Sequence, residues 1–567
     1  MDLIKPESRA QVSFGSLDEM IPAEHQVRFL DAFVDKLDLA KLQFNVKPLN
    51  KEGRPPFHPS LFLKIYLYGY HNGVRSSRGL EKECSRNIEM QWLCGKLVPS
   101  YHSIADFRKE NPKALRNMFK LYVQFLQDLK LIGGKVVAID GTKSRAHNSK
   151  KSNYSQSKIN RHFDYIEKRT NEYLKEMDEL DEQDDAIRIE ELGSKLAHLK
   201  ESKIRYEQLE RQLQDSGDTQ ISTTDADSRA LLVQGTVVEV SYNTQAAVDA
   251  KNKLVIATHT INRNDRNAMS AIALEAKQNI MADRFTVILD KGYHNGREIA
   301  KCQRNNINTI VAHSEIVNSN NFGTQPDYLV DKFIYNKRND TYTCPAGAVL
   351  RTKGTWHTKK RHEEDISQYK KYRTPACKEC MVRSLCTGRK DGGREIERSE
   401  YADAVDRNRK NYNNNSKLYR QRQEINEHIF GTIKRKWGYN YTNLIGLEKV
   451  NGEWSLIMLV YNMKRTMSLL TMPDLLKKLS AWKPNYKRLH RFFTKWLDLN
   501  EIWAMLTFEK HQQVQIFALA KTHLIQRSGF LGRCFFYSKE EARLFHSLTV
   551  CMLPEGRDFY HSRLLSG

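Results

Sequence analysis

The sequence predicts an α/β chain, with a mixed sheet as its core and an all-helical segment ahead of it. Three observations carry that class. Apolar residues recur at spacings of three and four from residue 17 to about 130. Short β-branched runs follow at 135–139, 235–249, 254–261, 286–290 and 308–314. From residue 265 onward those runs alternate with amphipathic helical stretches.

The N-terminal segment, residues 1–130, reads as helices in HQVRFLDAFVDKL, PSLFLKIYLYGYHNG, SSRGLEKECSRNIEMQWLCG and SIADFRKENPKALRNMFKLYVQFLQDL. Ser60, following Pro59, and Ser103, ahead of IADFRK, are the expected caps. Arg75, Arg78 and Arg86 are placed on or near the surface, open to an anionic partner or to solvent.

The core is expected over 131–470. Its first strand, KVVAI, runs into Asp140. An insertion at 151–218 carries two heptad-like runs: Ile159, Phe163, Ile166, Tyr173, Met177 and Leu180, then Ile189, Leu192, Leu196, Leu199, Tyr206 and Leu213. The acidic DEQDD between them marks the turn of two antiparallel helices. GTVVEVSYNTQAAVD and LVIATHTI, joined by AKNK, predict a hairpin. A helix in RNAMSAIALEAKQNIM, the strand TVILD ending at Asp290, a helix in GREIAKCQRNN and the strand NTIVAHS complete the set. Without the insertion the order is strand, strand, strand, helix, strand, helix, strand, which is that of an RNase H-like sheet. A cysteine-rich insertion is expected at 318–400. A basic-aromatic tail, with NYKRLHRFFTKW and FLGRCFFYSKEEARLFHSL, follows at 471–567.

Composition narrows the partner. Lys and Arg number 91 against 68 Asp and Glu, a formal charge of +23, so a polyanion is expected and nucleic acid is the first candidate. The longest apolar runs, such as WSLIMLVY, are too short to span a bilayer. MDLIKPESRAQVS lacks the pattern of a secretory signal. The expectation is a cytoplasmic, nucleoid-associated protein without membrane contact. Nine cysteines, an odd number, argue for a metal cluster over a disulfide framework.

Topology brings two acids together. If the first three strands alternate and the fourth runs parallel to the first, the ends carrying Asp140 and Asp290 lie side by side, where open α/β sheets place their sites. Either aspartate alone could cap a turn or helix. Two buried like charges are costly unless a cation sits between them. A two-metal phosphoryl-transfer site needs a third acid, sought in YRQRQEINEHIFGTIKRKWGY at 419–439. There Ile425, Ile429 and Ile433 form a stripe with Phe430 beside it. Glu427 is read as lying next to the stripe, with Lys434 two turns on and Glu424 as the fallback acid. A solvated surface glutamate is the alternative.

The segments VVAIDGTKSRA, SYNTQAAVDAKNKLVIA, VILDKGYHN and NEHIFGTIKRKWGY, in this order, resemble the DDE transposases of bacterial insertion sequences, in the group named after insertion sequence eleven-eighty-two. GRPPFHPSLFLKIYLYGY and SYHSIADFRKENP are similar to that group's N-terminal domain, and the resemblance runs from about residue 10 to about 466. It implies Asp140, Asp290 and Glu427 as the catalytic acids, holding Mg²⁺ or Mn²⁺. Tyr419, Arg422 and Lys434 match the tyrosine, arginine and lysine of the family's last helix, although four residues instead of three separate Arg422 from Glu427. Together with Trp437, and with Lys143 and Arg145 after the first aspartate, they are assigned to DNA. The implied activity is binding of terminal inverted repeats in double-stranded DNA, cleavage at the element ends and joining to a target, by a homo-oligomer. An RNase H-like nuclease without strand transfer and a non-catalytic domesticated DNA-binding protein are the alternatives.

Three further sets complete the expectations. Asp265, ahead of RNAMSAIALEAK, is read first as a helix cap and second as an auxiliary acid. Asp225 and Asp227 stand where the first insertion re-enters the sheet. Cys344, Cys377, Cys380 and Cys386 suit a structural Zn²⁺ with no open position, with free thiols as the alternative. The related transposases carry a similar cysteine set.

Overall fold

A computed structural model describes residues 14–46, 55–181, 186–233, 237–313, 324–360, 366–389 and 392–490. The chain is mixed α/β. Its main sheet contains β1 (Val136–Arg145); β2 (Asn153–Ser155) and β3 (Gln220–Ser222) form a separate ribbon; then β4 (Arg229–Val233), β5 (Val237–Asp249), β6 (Leu254–Ile261), β7 (Phe285–Leu289) and β8 (Ile307–Val311) rejoin the sheet. The strand path is β4-β5-β1-β7-β8, with β6 also paired to β5. β5 runs antiparallel to both β1 and β6, whereas β7 runs parallel to β1 and β8 parallel to β7. The predicted hairpin forms by a turn at which Lys253 adopts φ 57°.

Asparagine side chains bond to the outward-facing backbone of two strands, β6 and β8. Asn462, on the helix Leu447–Leu469, accepts from Val255 N at 2.8 Å and donates to Val255 O at 2.7 Å. Asn408, on the helix Ala402–Asn414, makes the same pair of bonds to Val311 at 2.9 Å each. Each amide imitates one rung of a missing strand and satisfies an edge that would otherwise template aggregation. Leu447–Leu469 is buried along almost its whole length, as a helix apolar on every face must be.

The N-terminal helices share a hydrophobic core with the sheet. Two of their caps lie upstream of the expected ones: His58 accepts from Ser60 N, and Ser100 from Ser103 N. Arg75, expected at the surface, is only 7% exposed, because Glu453 on Leu447–Leu469 receives it. The helices Gln156–Asp181 and Ala186–Ser216 pack against one another, with Ile159, Leu209 and Leu213 in one small core.

The sequence reading did not foresee the β2–β3 ribbon, the helices Ala402–Asn414 and Leu447–Leu469, or two further features of the sheets. β4 extends the sheet beside the first half of β5. The cysteine-rich region holds a second six-stranded sheet, spanning Ile334–Asn336 to Ile396–Ser399, with its own core of Phe333, Tyr342, Leu350, Tyr372 and Ile396. In the predicted tail, the helix Met472–Ala481 buries Leu475 and Leu479 in the main core, and residues 491–567 lie outside the described residues. Among the described residues no helix is long and apolar enough to cross a membrane.

Candidate active site

β1 and β7 pair in register through Ala138 and Ile288. Asp140 and Asp290 each lie two residues past that pair. Asp140 continues β1 and Asp290 follows the last residue of β7, so both stand at the C-terminal end of the β1–β7 ladder. Asp140 Oδ1 accepts from Gly141 N at 2.8 Å, and Asp290 Oδ1 accepts from Gly292 N at 2.8 Å, capping the turn Lys291–Tyr293. Burial pushes the Asp140 carboxyl up to about 6. The Gly141 amide and the Arg422 guanidinium oppose that rise, while the charges of Asp290 and Asp265 add to it. The two aspartates thus feel one another, as topology requires.

The helix Ser416–Phe430 packs across this edge. Arg422 Nη1 lies 3.5 Å from Asp140 Oδ2, and its guanidinium sits 5.9 Å from the Tyr419 ring. Tyr419 is raised above the usual phenol range by burial, and the Asp290 charge acts in the same direction. Beyond Phe430 the chain continues as a π-helical turn, Gly431–Lys436, where the sequence predicts an unbroken helix. Lys434, on that turn, donates to Lys143 O at 2.8 Å, and burial lowers its ammonium from the usual lysine range.

Asp265 is not a helix cap through its side chain. Its carboxylate turns toward the sheet, where Oδ2 accepts from Lys143 Nζ at 2.9 Å and Oδ1 accepts from Asn243 Nδ2 and Gln245 Nε2 at 2.8 Å each. Tyr293 O–H reaches the same oxygen at 3.4 Å. Burial would raise this acid, but the Lys143 charge and the amide donors outweigh it and hold Asp265 below the usual carboxylate range. Asn243, Gln245 and Tyr293 are participants the sequence reading missed. The signal for the first two was a pair of amide residues at i and i+2 in SYNTQAAVD, hence on one face of a strand.

Gly141 makes this approach possible. A Cβ there would stand 2.5 Å from Asp265 Oδ1 and 2.7 Å from Asn243 Oδ1, and would press on Gln245 Nε2. Gly141→Ala is expected to lower stability by about 1–3 kcal/mol, the cost of overpacking a close-packed site, read as a drop in melting temperature. An unchanged melting temperature would show that the acid and both amides shift freely.

Other predicted residues lie elsewhere. Glu427 is exposed, and its Oε1 accepts from Gln423 Nε2 at 2.8 Å. At 100° per residue it points 200° from both Ile425 and Ile429, the buried stripe. Asn426, one turn after Arg422, is buried instead, with neither amide atom hydrogen-bonded. Glu424 is exposed and paired with Lys253 at 2.6 Å. Trp437 is half-buried, packed near Tyr439 and Tyr461 with Lys464 Nζ 5.1 Å from its ring. Arg145 is exposed, and its main chain bonds to Asn440 and Thr442. Asp225 accepts from Tyr242 O–H at 2.6 Å and Gly446 N at 3.2 Å, and Asp227 from Leu447 N at 2.7 Å. That pair anchors the start of Leu447–Leu469.

Cys344, Cys377, Cys380 and Cys386 line one cleft. Burial raises the Cys386 thiol; Arg394 opposes the rise, and the other three cysteines add to it. Cys344 starts a tight turn, accepting from Gly347 N at 2.9 Å where Gly347 has φ +85°. Cys84, Cys94 and Cys302 are buried away from this cleft, with the Cys84 and Cys94 thiols hydrogen-bonded to each other. Among the described residues, no group of three or more His, Cys, Asp or Glu side chains is arranged to hold a metal ion.

Comparison with known proteins gives two family matches. Residues 15–110 match a transposase domain, DUF772, and residues 343–467 match a transposase DDE domain. The two together support a DDE transposase family. No curated protein matches the chain. Among solved structures, the cryo-EM piggyBac transposase synaptic complex with hairpin DNA aligns over 83% of this chain and 85% of that chain, at 9% identity and a TM-score of 0.28.

Proposed function

Starting from a chain that carries two transposase-domain matches, we propose that this protein is a DNA transposase of the group named after insertion sequence eleven-eighty-two. In this reading it binds the terminal inverted repeats of its element, cleaves the ends and joins the freed 3′-hydroxyl to target DNA. The observation that carries the reading is that Asp140 and Asp290 stand at the same end of the paired strands β1 and β7, with Arg422 on Asp140. The strand order and directions support an RNase H-like core over 131–470, and the helices of 1–130 are assigned to recognition of the ends.

The donor set suits a divalent cation. The charge of Asp290 adds to the cost of ionising Asp140, and Asp140 already draws a cationic side chain. Mg²⁺ or Mn²⁺ held there would polarise the phosphodiester and lower the pKa of the attacking hydroxyl. The chain's own groups do the rest. Arg422 and Lys434 bind phosphate oxygens, Asp265 fixes Lys143 beside the first strand, and the Tyr419 ring backs Arg422. Glu427 is assigned as third acid by resemblance alone. It joins the aspartates only if the helix Ser416–Phe430 turns, and the π-helical turn that follows is of a kind frequent at functional sites. The four cysteines line one cleft and are assigned to a structural Zn²⁺ by donor type, although their thiols are not arranged as a ligand set here. Assembly is proposed as a homo-oligomer, because two element ends must be held together.

The test uses labelled duplex bearing the element end, incubated with plasmid and Mg²⁺. The expected result is end cleavage followed by labelled plasmid, lost in Asp290→Asn and in Glu427→Gln. Cleavage without any joined product would replace the reading with a nuclease. Activity untouched by Asp290→Asn would remove the aspartate pair from the chemistry.

A further inference from the structure

The end of the sheet opposite the aspartates carries a different feature. Where β7 and β8 begin there is an open cleft of about 480 Å³, lined by Arg284, Arg304, Arg407 and Lys410 and by no carboxylate. All four cations are exposed. Arg284 immediately precedes β7, and Arg304 closes the helix Gly296–Arg304. Arg407 and Lys410 stand three apart on Ala402–Asn414 and so share a face.

The floor between them is built from amides already bonded among themselves. Arg407 Nε donates to Gln303 Oε1 at 2.8 Å, and Gln303 Nε2 donates to Ala404 O at 3.0 Å and Thr309 Oγ1 at 3.2 Å. Asn411 Nδ2 donates to Asn308 Oδ1 at 2.6 Å. The turn from helix to β8 is held by Asn306 at φ 58°, a conformation that asparagine tolerates. The backbone carrying Arg304 is therefore set, and its side chain projects from a fixed base.

Like charges gathered in one concavity repel one another, and the lining supplies no acid to offset them. A polyanion does so, with release of its condensed counterions as the driving force. Guanidinium and ammonium groups contact phosphate oxygens, and the floor amides that could read adenine edges are already bonded among themselves. We propose that this cleft is a second, sequence-independent seat for the backbone of duplex DNA. The six residues from Arg284 to Asp290 in and around β7 set it about 20 Å from the aspartates. It thus holds DNA beyond the segment undergoing chemistry. The inference rests on the DNA reading given above.

The experiment measures the affinity of the full chain for a long duplex of unrelated sequence across a range of salt concentrations. The triple variant Arg284→Gln, Arg304→Gln, Lys410→Gln leaves the Arg407–Gln303 bond intact; the quadruple variant adds Arg407→Gln. Losing three phosphate contacts should flatten the slope of log affinity against log salt by about 2–3. Cleavage of a short end-bearing duplex should be retained, since none of these residues borders Asp140 or Asp290. A wild-type slope that the triple variant leaves unchanged overturns the second seat and spares the transposase reading. A wild-type chain that binds no duplex at low salt overturns both.

Discussion

Asp140→Asn is expected to abolish strand cleavage while making the metal-free protein more stable at neutral pH. Removing a group that stabilises charge in the reacting complex costs on the order of 10³-fold in rate. The stability gain has a separate origin. In the folded chain the Asp140 carboxyl is pushed from its ordinary value of 3.8 up to about 6, chiefly by burial. A raised acid favours the fold when protonated. Its contribution is complete below 3.8 and is lost as the pH climbs through about 6. Above that range the ionised side chain opposes folding by about 2 kcal/mol, after allowance for its partial exposure. Asparagine keeps the shape and removes the charge, so urea midpoints with chelator present should favour the variant above the upper value and converge with wild type below the lower one. A variant that is less stable at neutral pH, or that still cleaves, would remove Asp140 from the role given it here.

Much of the sheet is written locally. VVAI, TVIL and NTIV are short β-branched runs, and the polar-to-apolar switches around them mark their ends, so Asp140 and Asp290 can be placed on adjacent strands without coordinates. What failed to show depended on distance or direction. The second sheet is made of short strands, one of which, His357–Lys360, is exposed throughout and carries no alternation to detect. Asp265 satisfies every local rule for a helix cap. Its real partners come from β1 and β5, and those contacts exist only after the sheet has formed. Glu427 illustrates a directional error: one place along the sequence from a buried residue is a large rotation on a helix, so adjacency to Asn426 puts it on another face. Arg75 was legible as a charge and not as a buried one, because its partner stands 378 residues away.

That partner gives the second large effect. Glu453→Ala is expected to destabilise the protein by about 3–5 kcal/mol, since it leaves buried guanidinium groups without their counter-charge. Glu453 Oε1 accepts from Arg75 Nη2 at 2.8 Å and Asn443 Nδ2 at 3.0 Å, and lies 3.7 Å from Arg108 Nη1; Oε2 accepts from Asn443 N at 2.9 Å. Arg108 in turn donates to Tyr70 O–H at 2.5 Å, and the Arg75 guanidinium covers the Tyr439 ring at 4.5 Å. Burial alone would raise Glu453, yet the charges of Arg108 and Arg75 outweigh it and hold the acid below its ordinary value of 4.5. A depressed acid contributes stability that is present above 4.5 and lost as the pH falls. Wild type should therefore lose stability on acidification more steeply than Glu453→Gln, which keeps an acceptor but has no charge to titrate. Arg75 and Arg108 belong to the N-terminal helical region, and Glu453 to Leu447–Leu469 on the sheet. Loss of the acid should therefore expose the N-terminal helices to limited proteolysis before the sheet is cut. Equal protection in both regions, with an unchanged denaturation midpoint, would mean that apolar packing alone holds those helices in place.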